Sequence, residues 1–182
     1  MSQIKKLNLS QIDVGRKKAL MNAEGLVNDA RVLLQNNSYA RAFFLSQLSL
    51  EEMGKYIILI SAASNPDLHR MDWNHFWKLY KFHESDDRNL EFLRFIFIEI
   101  ENLKDQMKYI TELYGKNTQE ILRMSSLYSD FLKNGFYGPT DTITSELAVF
   151  WVSVAERYLS SFRYFDENFI GSEDLSKLQK KE

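Results

Sequence analysis

The chain has 182 residues, 45% of them hydrophobic and 14% aromatic, and a formal net charge of −2. Such a length and apolar content fit one self-sufficient globular domain and exclude a disordered segment. The charge balance excludes a dedicated, strongly basic nucleic-acid binder but leaves room for a local basic patch. With no cysteine, disulfides and thiolate metal sites are excluded as well.

The first six residues place two lysines with no apolar run behind them, so a signal peptide is not expected. Only two prolines and seven glycines punctuate the sequence, and they fall where helices should break. A first helix is predicted over residues 10–35, because Ile12, Leu20, Ala23, Val27, Ala30 and Leu34 recur at three- and four-residue steps. Asn36, Asn37 and Ser38 close it, and Ser38 is the expected N-cap of a second helix over 39–63. The short loop between them makes these two an antiparallel hairpin. Within the second helix, residues 56–63 form the longest apolar run, too short to span a bilayer. A third helix, 72–82, is expected to be capped by Asp72 or its neighbours and is studded with Trp73, Phe76, Trp77, Tyr80 and Phe82. A fourth is expected over 87–114: residues 92–100 alternate like a strand, yet Leu93, Ile96, Ile100, Leu103, Met107 and Ile110 continue a helical stripe. A fifth runs over 118–133 and stops at Asn134 and Gly135. A loop over 136–144 then leads to a last helix over 145–169, and the charged residues from Gly171 onward are expected to fray. The fold class is therefore all-α, a single-domain bundle of about six helices over residues 10–170. An N-terminal extension, 1–9, and a charged tail, 171–182, flank it.

The second helix is apolar almost all round, which places it at the centre of a bundle. Its charges are Arg41, Glu51, Glu52 and Lys55. Lys55 stands three and four residues from the two glutamates, within reach of both, and Arg41 is eleven before Glu52, on roughly the same side. Ions on such a helix must be paired, so this group is either a structural ion-pair network or a site, and Gly54 between them favours close helix packing.

Asn22, Ala23, Leu26, Asp29, Ala30 and Leu33, then residues 39–42, then the run Ser49, Leu50, Glu51, Glu52, Met53, Gly54, Lys55 follow one another in a recognisable order. His83 and the segment Lys133, Asn134, Gly135, Phe136, Tyr137 complete it. In order and spacing these resemble the AbiV family of abortive-infection proteins, of the HEPN superfamily of helical domains. The resemblance implies a HEPN-like fold, a role in phage defence, a bacterial cytoplasmic location and a homodimer. The aromatics Phe43, Phe44, Phe95, Phe97, Phe150, Trp151 and Phe165 exceed what one small bundle needs inside.

Ribonucleases of that superfamily use an arginine followed four to six residues later by a histidine, without metal or cofactor. The histidine moves a proton at the 2′-hydroxyl or the leaving oxygen while the arginine stabilises charge on the phosphate. Only Arg70 and His75 fit that spacing here, and Met71 stands where a polar residue is common. The spacing also arises readily by chance in a helical chain, and the plainer reading is a surface arginine and a histidine beside Trp73 and Phe76. Lys78, Lys81 and His83 are candidates for contact with RNA or a partner. Glu84, Asp86 and Asp87 depart from the basic residues usual after that histidine; they also read as first-turn acids of the fourth helix. No Glu-x-x-His pairs, zinc motifs or phosphate loops occur, so neither metal nor cofactor is expected. Three roles stay open: a defence protein acting on RNA or translation, with metal-independent endoribonuclease activity as one form of it; a non-catalytic defence protein binding a phage or host protein through its helical surface; and a helical adaptor.

Overall fold

Asn8 begins the first helix, α1 (Leu9–Gln35), with a reciprocal cap: its side chain accepts the Gln11 N–H at 2.9 Å, and the Gln11 side chain accepts the Asn8 N–H at 3.1 Å. In this computed structural model residues 5–81, 118–132, 135–171 and 175–179 are described. The stripe Ile12, Ala19, Leu20, Ala23, Val27 and Ala30 is buried. Asn37 ends the helix in the left-handed region at φ 57°, with its N–H on Leu34 O at 3.0 Å and the Ser38 N–H on Leu33 O at 2.8 Å. This is a Schellman closure with asparagine in the place glycine usually takes. Ser38 does stand at the N-cap of α2 (Tyr39–Ala63), but its side chain makes no capping hydrogen bond, contrary to expectation.

Helix α2 is central. It packs on α1, on α3 (Trp73–Lys81) and on the last helix, and thirteen of its residues are buried. Small side chains let α1 and α2 approach closely: Ser49 Oγ donates to Ala23 O at 2.9 Å, and a Cβ on Gly15 would stand 3.3 Å from Leu59 Cδ1. Asp72 caps α3, accepting the N–H groups of Asn74 and His75 at 3.0 and 3.1 Å. Trp73 and Phe76 are buried with rings 5.2 Å apart, and the Trp73 indole donates to Leu68 O. The stripe's inner residues are thus core. The predicted fourth helix lies outside the described residues.

Helix α4 (Thr118–Ser125) stops well short of residue 133. Instead Asp130–Leu132 (β1) and Gly135–Tyr137 (β2) pair antiparallel, Phe131 opposite Phe136 with rings 5.1 Å apart. The physical reason is legible in retrospect: aromatic residues on both sides of Asn134 and Gly135 are a hairpin pattern as much as a helix stop. The expected loop contains a short helix, α5 (Pro139–Thr142). The last helix, α6 (Ser145–Phe165), is capped by Thr144 Oγ1, which accepts the Leu147 N–H at 3.2 Å. It passes into a π-helical turn, Asp166–Ile170, that ends at Gly171 with φ 59°. Residues 175–179, expected to fray, form a 3-10 turn instead: Leu175 is buried, and Gln179 Nε2 donates to Asn65 O at 2.9 Å.

The core lies between α1, α2 and α6, with edge-to-face contacts between Phe43 and Trp151 and between Tyr56 and Phe162. Arg31 pairs with Glu156 at 2.8 Å, and Arg163 with Glu24, tying α1 to α6 along the surface. The fold is all-α, with one two-stranded sheet among the described residues.

Candidate functional site

The four charges expected to cluster on α2 separate. Lys55 pairs with Glu52 at 2.5 Å, and Glu51 pairs across to Arg123 of α4 at 2.5 Å, all four side chains being mostly buried. Arg41 is exposed and takes no part. Eleven residues do bring it to the side of the helix that carries Glu52, but about 16 Å further along the axis, beyond side-chain reach. The Glu52–Lys55 pair faces α3, where burial raises the Tyr80 hydroxyl above its ordinary value, with Lys55 opposing and Glu52 reinforcing. The Glu51–Arg123 pair joins α2 to α4, while the Glu52–Lys55 pair lies within α2.

A second polar network was missed by the sequence reading. The Arg16 side chain has no exposed surface and pairs with Asp13 at 2.7 Å and with Asp166 of the π-helical turn, while reaching Gly171 O at 3.4 Å. Tyr56 Oη donates to the same Asp166 carboxylate at 2.8 Å. Burial, then the hydrogen bond to Asp166 and its negative charge, push the Tyr56 hydroxyl far above its ordinary range. At Asp13 burial works upward, but hydrogen bonds from Lys17 and Arg16 and their charges leave its carboxyl below the usual value. The network joins α1, α2 and the end of α6. One signal could have found it: Arg16 falls on the buried stripe of α1, midway between Ile12 and Leu20.

Arg70 and His75 are both exposed, in the turn before α3 and in its first turn respectively. The Arg70 guanidinium, 89% exposed, pairs with Asp67 at 3.3 Å, and no hydrogen bond joins it to His75 among the described residues. Lys78 and Lys81 are exposed further along α3, and the Lys81 ammonium stands 5.1 Å from the centre of the Trp77 ring. Helical geometry puts Asn74, His75, Lys78 and Lys81 on one arc, opposite buried Trp73 and Phe76. The N-terminal segment lies along this edge: the Trp77 indole N–H donates to Lys5 O at 2.6 Å, and Lys6 Nζ donates to His69 O at 3.3 Å. His83 lies outside the described residues.

Phe43 and Trp151 are buried and Phe44, Phe150 and Phe165 half-buried, while Phe95 and Phe97 lie outside the described residues. Among the described residues the most exposed aromatics sit elsewhere, at Tyr128 before the hairpin, at Phe131 and Phe136 within it, and at Tyr164 and Phe169 beside the π-helical turn. Among the described residues no group of three or more carboxylates and histidines could hold a metal, and no helix is long and apolar enough to cross a membrane.

The family model described as AbiV, of the HEPN group, matches residues 11–160. No curated protein and no solved structure matches the chain. A match over that span, on an all-α bundle built around α2, means that this chain belongs to the AbiV family of HEPN-like helical proteins, whose role is abortive-infection defence.

Proposed function

We propose that this protein blocks phage propagation in the bacterial cytoplasm by acting on RNA through the exposed edge of α3. The observation that carries this reading is the collection of Arg70, His75, Lys78 and Lys81 on one solvent-facing edge of a chain with a formal net charge of −2. Cations set on an open edge can meet phosphates, and an arginine with a histidine supplies what metal-independent cleavage at a 2′-hydroxyl needs: a charge on the phosphate and a proton carrier. Within one chain the two side chains do not touch, so the ribonuclease form of the proposal uses a homodimer, in which two pairs converge on one phosphodiester. Purified protein is expected to cleave RNA in EDTA, and Arg70→Ala or His75→Ala to abolish cleavage with the unfolding transition unchanged. Phage protection that survives both substitutions would remove catalysis from the mechanism.

A second reading is a defence protein without catalysis that binds a phage or host protein. The exposed Phe131 and Phe136, at 58% and 83%, favour it, since apolar side chains this open mark binding surfaces. Phe131→Ser with Phe136→Ser would then abolish protection while leaving the unfolding transition unchanged.

A further inference from the structure

We infer that residues 5 and 6 form a phosphate-binding arm that extends the α3 edge and fits it to a short run of single-stranded RNA; this rests on the RNA reading above. Trp77 fastens the arm by donating its indole N–H to Lys5 O at 2.6 Å, and Lys6 Nζ reaches His69 O at 3.3 Å. The backbone at Lys5 is thereby fixed to α3 and the Lys6 ammonium to the turn that carries His69, so both lysines start from this edge. Lys6 spends one of its three N–H donors on that carbonyl, leaving two for a phosphate. Lys81 lies over the same indole that holds Lys5, so the arm and the helix present one continuous surface. Along it stand Lys5, Lys6, Arg70, Lys78 and Lys81, faced among the described residues by Asp67 and by Asp72, whose carboxylate is occupied in capping α3.

Composition selects the form of RNA. Half-buried Trp77 and Tyr80 lie along α3 with Lys78 and Lys81, and surfaces that take single strands combine cations for the backbone with aromatic faces on which bases stack.

The test is binding of a fluorescent single-stranded oligoribonucleotide, and of its duplex, to the full chain across a salt titration. Lys5→Gln with Lys6→Gln keeps the Lys5 carbonyl and so the fastening. It is expected to weaken single-strand binding and to make the slope of log K against log salt shallower by about 1.4, two contacts at about 0.7 each. Trp77→Phe, which removes the N–H donor while keeping a smaller aromatic ring beneath Lys81, is expected to weaken binding in the natural sequence and to add much less in the double variant, because its main effect runs through the arm. An unchanged slope in the double variant, or fully additive losses with Trp77→Phe, overturns the arm while RNA binding by the edge stands. Equal or tighter duplex binding overturns the single-strand assignment. If the unsubstituted chain binds no RNA at low salt, or poly-glutamate of matched charge competes equally well, the RNA reading itself falls and the arm with it.

Discussion

Arg16 is the residue whose environment departs most from what its chemistry prefers. A guanidinium without exposed surface is tolerable only because two carboxylates and a carbonyl take its donors in a fixed fork. Arg16→Ala takes from the Asp166 carboxylate its buried cation and leaves Asp13 with Lys17 alone, and is expected to cost about 3–5 kcal/mol in denaturant unfolding. The same network predicts how stability follows pH. The Tyr56 hydroxyl is raised in the fold, so its contribution is complete below the ordinary tyrosine value of 10.0 and is lost as pH climbs beyond it. The Asp13 carboxyl is lowered, so its contribution is present above its ordinary value of 3.8 and is lost as pH falls below it. Thermal melts are expected to decline on both sides, and Tyr56→Phe should flatten the alkaline limb alone. A residue's burial depends on what other segments bring to it, so chain order displays Glu51, Glu52 and Lys55 together but not Arg16 with Asp166.

Among elements, α1 and α2 were the most legible, because their stripes are long and their caps local. Their closeness depends on small residues, so Ser49→Val, which adds bulk against Ala23 and removes a buried hydroxyl donor, is expected to cost about 1–3 kcal/mol. Where the sequence predicts helix to residue 133 and a loop from 136, the structure has the hairpin of β1 and β2. Three-residue strands carry too little pattern to outvote neighbouring helical periodicity, and a two-stranded ribbon is marginal on its own. Its outward rings add little to folding: Phe136→Ser should move the unfolding free energy by no more than about 0.5 kcal/mol. An effect of that substitution on phage protection would then report on binding rather than on stability.

At the scale of the molecule, α2 is the axis against which α1, α3 and α6 are placed, and the short C-terminal turn closes on it. Leu175 is 2% exposed there, so Leu175→Ala is expected to cost about 2–5 kcal/mol, as any deep apolar truncation does. A loss near zero would mean that the turn rests on the bundle without stabilising it. The cationic edge of α3 lies away from the α1–α6 seam, so charge-removing substitutions there should alter binding with little change in the unfolding midpoint.

The sequence by itself determined the helical class, the limits of α1 and α2, the central place of residues 39–63 and the family, since each is carried by periodicity, caps or residues close together in the chain. Only the tertiary structure decided that Arg41 stands apart, that Glu51 reaches Arg123, that Arg16 and Asp166 meet in the core, and that residues 5 and 6 lie along α3. Those pairings span tens to well over a hundred residues. They follow from which surfaces helices bury against one another, and no local spacing records that.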